Sequence, residues 1–588
     1  MTIAGILREL QRRNVVRAAV LYATSVWALA QGIAALGPIV GAPDWTARWF
    51  LVAAAIGVPF WIAFAWFYEL TPQGIKLESE VPQSESLTRA TGRKLDFWII
   101  GVLAVAVVLL LTDRFMNHNT LPALVAQDIP DKSVAVLPLV NESGDSNAAY
   151  FSDGLSEAFI DALSQFPGLR VIARASSFQF RNSKDPVRVI GEKLGVAHLL
   201  EGSVQRASDA VRINVELINS KDGTTQWFEH YDRPYKDLFQ LQDDITHALA
   251  AALKTKLLGG SNAPPPQSDR PPSGNLAAYN AYLEGRFYTR RTGLENNRNA
   301  VEAFTASVKL DPAYATAWAA LSSAEHRAAL IADSGLVQAL AQARKDAEHA
   351  MELAPDLGVA HSALGNVLLF ESNWSGAEAQ FRRAVQLSPG NANFKANLGS
   401  VLAALGQTGQ AVTLAQQAQK LDPLQASIYN WLASYLMPLD RLDEADSAIR
   451  KAIALEPDGD TFYATLSQID ILRGTAKAAL SDAQQEPAGS WHDLAVALAL
   501  QIGSNRSAAE AALNGIIAKY SQTSPYQIAE TYGLRKDTDN TFKWLERARA
   551  ASDPGLQQLL YDPFILPYRH DPRFAKLCEE LKLPVPKT

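Results

Sequence analysis

GVAHSALGNVLLFESNWSGAEAQFRRAVQLSPGN, residues 358–391, decides the fold of the larger part of this chain. It places Leu364-Gly365, Ala377, Phe381, Ala384 and Pro389 at the spacing of two amphipathic helices that cross closely and stop at a proline. The stretch is one beat of a longer rhythm. Pro355, Pro389, Pro423 and Pro457 recur every 34 residues, each two residues after a leucine, Leu353, Leu387, Leu421 and Leu455. Pro312, after Leu310, stands 43 residues before Pro355, one period plus an insertion of nine near 330–338. A 34-residue period with a helix-ending proline predicts stacked helical hairpins, an architecture that presents a surface rather than a catalytic pocket.

The next beats keep the same chemistry. Leu398-Gly399, Gly406, Ala411, Ala418 and Pro423 form one, and Tyr429, Leu432-Ala433, Ala445, Ile449, Ala452 and Pro457 another. Upstream, Ala300, Phe304 and Pro312, then Trp318, Leu321, Ala343, Ala350 and Pro355, supply two more. The pattern closely resembles the tetratricopeptide repeat (TPR), and implies an all-α TPR superhelix over 276–457. From 458 to 588 the proline register is lost while helical pairs continue, which predicts degenerate repeats and a C-terminal cap. Asp562-Pro563 and Asp571-Pro572-Arg573-Phe574 resemble a family ending.

In such a stack the first helix of each pair lines the concave side, so residues 34 apart form columns. Asn366, Ser400 and Ser434 make one column; Val359, Asn393 and Ser427 a second; Ser362, Ala396 and Asn430 a third. His326, Arg327, Phe370 and Met437 fall near the groove by the same count. This wall is small and polar, and lacks the repeated Lys and Arg that would clamp a terminal carboxylate. An extended peptide or a partner loop is the expected ligand.

Across its 588 residues the chain is 48% apolar and 20% charged, which predicts two or three folded units, and its net charge of -7 argues against nucleic acid as a partner. Cys578 is the single cysteine, so neither an intrachain disulfide nor a cysteine metal site exists, and a buried small hydrophobe is its expected role. His-Glu-x-x-His, Gly-x-Ser-x-Gly and Gly-x-x-x-x-Gly-Lys-Ser/Thr patterns are all missing, so no enzyme activity and no cofactor is expected.

The N-terminal part differs in kind. Apolar runs over 17–40, 49–70 and 95–112 are each close to the roughly 17 to 25 residues a membrane-spanning helix needs. Arg8, Arg12, Arg13 and Arg17 precede the first, and Lys76, Arg89, Arg93 and Lys94 lie in the 71–94 loop, against Arg48 and Arg114 on the other side. That asymmetry predicts three transmembrane helices, a cytoplasmic N-terminus (1–16) and loop, and a tether (113–131) leading to soluble domains outside; in a Gram-negative bacterium this means a multi-pass inner-membrane protein with periplasmic domains.

From 132 to 258 the pattern becomes β-α-β-α-β-β-β-α, a small α/β domain with a mixed sheet. Lys132 to Leu139 reads as a buried strand, and Phe151, Leu155, Phe159 and Leu163 mark a helix face capped by Ser152 or Asp153. Leu200, Gly202 and Val204 alternate with polar residues, as do Val211, Ile213, Val215 and Leu217, which predicts an antiparallel pair. Asp153, Glu157 and Asp161 share one helix face and are expected to be solvated; Arg174, Arg181, Lys184 and Arg188 are expected on a surface loop. Pro264-Pro265-Pro266 and Pro271-Pro272 make 259–275 a linker that sets the two soluble domains apart.

Lys132-Ser133-Val134-Ala135-Val136-Leu137-Pro138, Tyr150-Phe151-Ser152-Asp153-Gly154, Leu199-Leu200-Glu201-Gly202-Ser203-Val204 and Gln242-Asp243-Asp244-Ile245 resemble the TolB amino-terminal-like domain of bacterial membrane-anchored TPR proteins. Arg8-Glu9-Leu10-Gln11-Arg12-Arg13-Asn14-Val15 and Tyr68-Glu69-Leu70-Thr71-Pro72-Gln73-Gly74-Ile75 resemble the membrane segment of the same family. In relatives this architecture sits behind a class III adenylate cyclase or a winged-helix DNA-binding domain. Only sixteen residues precede the first apolar run here, so the resemblance implies a member without that output module. The expected function is a membrane-anchored, periplasm-facing, non-catalytic scaffold in contact with the lipid bilayer. Its TPR groove takes a protein or peptide, and its α/β domain docks an envelope protein. The alternative is a sensor or regulatory subunit that signals through its spans to a separate cyclase or transcription regulator.

Overall fold

The computed structural model describes isolated positions between 22 and 57, then 68–71, 74–77, 129–144, 149–166, 168–207, 209–253, 270–291, 293–331 and 336–586. The chain divides into two compact units, Met1–Gln127 and Asp128–Thr588.

In the first unit, β1 (Tyr68–Thr71) and β2 (Gly74–Leu77) pair antiparallel, with Tyr68 opposite Leu77 and Thr71 opposite Gly74. Tyr68–Leu70 is therefore strand, where the apolar run predicted the end of a helix. The multi-pass inner-membrane placement, with its bilayer contact, is corrected. Among the described residues no helix is long and apolar enough to cross a membrane. The segments 17–40, 49–70 and 95–112 otherwise lie outside the described residues, apart from isolated positions.

The second unit opens with a six-stranded mixed sheet in the order β5-β3-β6-β7-β8, with β4 also on β6. Its strands are β3 (Ser133–Val136), β4 (Val140–Asn141), β5 (Arg170–Val171), β6 (His198–Arg206), β7 (Ala210–Asn219) and β8 (Thr225–Pro234). The alternation read from the sequence sets the register: Leu200 faces Leu217 and Val204 faces Ile213. Gly202 is required between them, because a Cβ there would lie 2.1 Å from the Asn214 carbonyl oxygen. Helices α1 (Ala149–Leu163), α2 (Arg174–Ser177), α3 (Val187–Leu194) and α4 (Leu238–Leu253) cover the sheet. Ser152 and Asp153 are inside α1 rather than at its cap, and Ser152 Oγ donates back to the Ala149 carbonyl at 3.1 Å.

Helical hairpins follow: α5/α6 (Leu276–Tyr288, Leu294–Leu310), α7/α8 (Ala315–Ile331, Leu336–Leu353), α9/α10 (Gly358–Phe370, Trp374–Leu387), α11/α12 (Ala392–Ala404, Thr408–Leu421) and α13/α14 (Ala426–Leu436, Leu442–Leu455). Every second helix ends on the leucine two residues before its proline, since the residue preceding proline is pushed out of the helical region. Three further pairs are α15/α16 (Phe462–Leu472, Ala476–Ala483), α17/α18 (Ser490–Leu500, Arg506–Tyr520) and α19/α20 (Pro525–Leu534, Thr538–Ala550). The 3-10 turns Pro554–Gln558 and Leu566–Tyr568 and helix α21 (Pro572–Glu580) end the chain, with Cys578 in the cap's core. Burial and Glu579 push its thiol up to about 11.

The expectation that the α/β domain and the array stand apart is corrected: they share one hydrophobic core. Leu155, Phe159 and Leu241 of the α/β domain belong to the same buried cluster as Tyr279, Tyr282, Phe304 and Tyr314 of the array. Gly154 admits Leu283, whose Cδ2 would be 2.5 Å from an added Cβ. Sequence periodicity reports which face of a helix is apolar, but not which partner covers it. The aromatic face of α5 is covered by α1 and α4.

Carboxylates seal the same seam, and this overturns the solvated reading of Asp153 and Glu157, while Asp161 at the seam's edge stays partly exposed to solvent. Glu157, 1% exposed, pairs with Arg286 at 2.7 Å and also with Arg174 and Arg290; Asp161 meets Arg286 at 3.1 Å. Arg181, expected on a surface loop with Arg174, meets Asp153 at 2.6 Å.

A second seam joins α2 to the loop between α12 and α13. The Ser176 backbone N–H donates to Asp422 Oδ1 at 3.0 Å, Ala173 N–H to the Leu421 carbonyl at 2.7 Å, and Leu424 N–H to Ser176 Oγ at 2.8 Å. Burial pushes the Asp422 carboxyl up to about 6, against the opposing effect of its bonds from Ser176. The folded protein thus holds this proton more tightly than the unfolded chain does. The associated stability is present below the ordinary value of 3.8 and is lost as pH rises through about 6. Asp422→Asn keeps the acceptor and removes the titration, so urea unfolding across that interval is expected to show a shallower fall in stability with rising pH. A slope unchanged from the parent would contradict this account.

Candidate functional site

The first helices of successive hairpins, α13, α15, α17 and α19, enclose a cavity of about 250 Å³ closed at one side by Gln558 and Tyr561. Asn430, Trp431, Ser434 and Tyr435 come from α13; Thr465 and Gln468 from α15; Trp491 and Leu494 from α17; Gln527 and Glu530 from α19. The hairpin stack places these side chains together because each first helix presents the same face inward. The C-terminal segment closes the cavity by curling back on the array. Tyr561 meets Tyr435 edge to face with ring centroids 5.6 Å apart, and the Trp374 indole N–H donates to the Leu581 carbonyl at 2.7 Å.

The wall is polar and its rim aromatic. Trp431 and Trp491 are 38% and 39% exposed, large apolar surface for residues of this size. Asn430 Nδ2 donates to the Thr461 hydroxyl at 3.1 Å, while its buried Oδ1 accepts from no partner among the described residues. Ser434 Oγ donates to the Asn430 carbonyl at 3.0 Å, which leaves the oxygen lone pairs toward the space.

A buried acidic pair lies at the cavity's edge. Glu530, 5% exposed, is hydrogen-bonded to Asp562, whose oxygens also accept from Phe564 N–H at 2.7 Å and Tyr526 O–H at 2.9 Å. Burial, and then the charge of Asp562, hold the Glu530 carboxyl well above the ordinary carboxylate range. With two donors already on Asp562, Glu530 is the member that keeps the proton and donates it. Neither carboxyl has an ion-pair partner among the described residues.

Of the residues singled out by column counting, Asn430 and Ser434 line this cavity. Asn366 and Asn393 lie on α9 and α11 away from it, and Ser400 Oγ donates back to the Asn397 carbonyl at 2.8 Å. His326 and Phe370 stack edge to face with centroids 6.0 Å apart, and burial lowers the His326 pKa. Arg327 donates to the Thr289 carbonyl at 2.6 Å, which ties it to the preceding hairpin. Glu530, Gln558, Tyr561 and Trp491 were missed because they belong to the stretch beyond Pro457, where no proline keeps the register. Trp491 is the one legible signal: a tryptophan at the start of a helix, on the same face as Leu494, Ala495 and Leu498, which line the cavity with it.

Residues 130–248 match the second domain of HilA/YgeH-like transcriptional regulators. The protein called "Putative adenylate cyclase 3" of Rhizobium meliloti (strain 1021) is 35% identical over 213 residues, 36% of this chain and 35% of that protein. The chain thus spans about a third of the length of the curated relative it matches. Among solved structures, YrrB, described as a TPR protein with an unusual peptide-binding site, is 20% identical, and the match covers 37% of this chain and 100% of that one at a TM-score of 0.27. Yeast Tom70 is 16% identical over 52% of this chain and 67% of its own, with a TM-score of 0.33. Residues 426–458, the hairpin that carries Asn430, Trp431 and Ser434, match the tetratricopeptide repeat family, and the helical part of the chain is a TPR-like stack of hairpins around it.

Proposed function

We propose that this protein acts by binding rather than by catalysis, as an interaction scaffold whose TPR array holds a segment of a partner protein in the cavity between α13 and α19. The observation that carries this reading is the pair of half-exposed tryptophans, Trp431 and Trp491, at the rim of a polar concavity. Partly exposed aromatic anchors beside a pocket are where interface binding energy concentrates. The columns through Asn366, Asn393 and Ser400, and onward to Phe370, His326 and Arg327, extend the surface along which the rest of the segment runs. The α/β domain supports the array by fixing α5 and the α12–α13 loop to one body, so the curvature that shapes the cavity is held before the partner arrives. Preorganisation of this kind lowers the cost of binding.

A photo-crosslinking side chain at Gln468, inside the cavity, is expected to capture a discrete partner segment. Trp431→Ala with Trp491→Ala is expected to weaken that partner's affinity by roughly a hundredfold, as the loss of two hot-spot anchors implies. Capture that is unaffected by both substitutions would refute the cavity as the binding site.

A further inference from the structure

We infer that the cavity between α13 and α19 is built for a cationic side chain, a lysine or arginine of the bound segment. The inference rests on the scaffold reading above and names what that site recognises. Among the described residues its lining contains no Lys, Arg or His. The buried polar atom left without a partner there is an acceptor, Asn430 Oδ1, unpaired among the described residues, and the lining also carries an acid, the Glu530 carboxyl hydrogen-bonded to Asp562.

Three ligand classes can be compared on these observations. An anionic group would meet the Asp562 charge and the Glu530 carboxyl with nothing to neutralise it, and like charges in a poorly hydrated site repel strongly. An apolar group would cover Asn430 Oδ1 and leave it buried without a donor, which costs its full desolvation. An ammonium or guanidinium brings both the donors that Asn430 Oδ1 lacks and the charge that the acidic pair lacks. It also gains from the faces of Trp431 and Trp491, since the ring quadrupole attracts cations.

The proton balance follows. The groups facing Glu530 from the elements packed against it are Asp562, Asp553, Tyr526 and Tyr561, and none of these is cationic. In the empty cavity burial and Asp562 therefore favour the neutral form of Glu530. When the cation enters, Glu530 releases its proton to solvent, and the carboxylate then faces the bound charge. Binding is linked to proton release, so affinity rises with pH.

The test uses the full chain and pools of fluorescent octapeptides, each pool with one fixed central residue and randomised flanks. The central residues are Arg, Lys, citrulline, acetyl-lysine, Glu and Leu; citrulline removes the charge of arginine at nearly the same size, and acetyl-lysine removes that of lysine while adding an acetyl group. The expected result is retention of the Arg and Lys pools, with the neutral isosteres and the Glu pool bound roughly thirtyfold or more weakly. Glu530→Gln, whose amide still donates to Asp562, is expected to abolish the pH dependence. Trp491→Ala, on the surface and harmless to folding, is expected to weaken the cationic pools without removing that dependence. If citrulline and acetyl-lysine pools bind as tightly as Arg and Lys, and Trp491→Ala weakens all alike, the charge assignment is overturned and the scaffold reading stands. If the parent protein retains no pool, both fall together.

Discussion

Glu157→Ala is expected to lower the unfolding free energy by about 3–5 kcal/mol, the cost of leaving a buried charge cluster without its partner. The Glu157 side chain is 1% exposed and lies against Arg174 of its own domain and Arg286 and Arg290 of the array. Removing it leaves guanidinium groups facing one another across the seam. Because α1 and α5 are joined there, the seam should also open: limited proteolysis is expected to release an α/β fragment from the variant and not from the parent. Urea unfolding measures the first effect. A loss below about 1 kcal/mol, the range of solvent-exposed pairs, would show that water reaches the cluster and that the shared apolar core alone joins the two parts.

Phe381→Ala is expected to cost a comparable amount, about 3–5 kcal/mol for a fully buried aromatic ring. The ring lies against Gly365, where an added Cβ would be 2.6 Å from Phe381 Cε1. Gly365→Ala should itself cost about 1–3 kcal/mol through overpacking. Phe381→Leu combined with Gly365→Ala should cost less than the sum of the two single changes, since the smaller side chain makes room for the methyl group. Calorimetry on the four proteins checks this, and strict additivity would mean that the two residues do not define the crossing. An open solenoid would lose one hairpin locally. Here the α/β domain holds the α12–α13 loop and α5, and the cap holds Trp374 and Leu581 together, so a single cooperative transition is expected for the Asp128–Thr588 unit.

The helical hairpins were legible because their requirements are local. A small residue at Gly365, a ring at Phe381 and a proline two residues past Leu387 each answer to neighbours within one period. The antiparallel register of β6 and β7 was legible for the same reason, since alternation assigns faces and the turn assigns partners. Reading Asp153 and Glu157 as solvated failed because charge at helical spacing looks the same whether water or arginine faces it. The arginines that decide the matter lie more than a hundred residues away at Arg286 and Arg290. Column counting reached Asn430 and Ser434, which sit in the regular repeats, and stopped short of Glu530 and Trp491, which do not.

By itself the sequence determined the TPR array, the mixed sheet and the absence of cysteine chemistry, all of which depend on period, composition or a single count. Only the tertiary structure decided three further things: that the α/β domain shares its core with the array, that Tyr68–Leu70 is strand, and that the chain's end returns to close a cavity beside a buried acid pair. The physical reason is common to them. Each depends on contacts between residues far apart in the chain or on a turn that breaks an apolar run, and hydropathy records how much a residue avoids water without recording what it is set against.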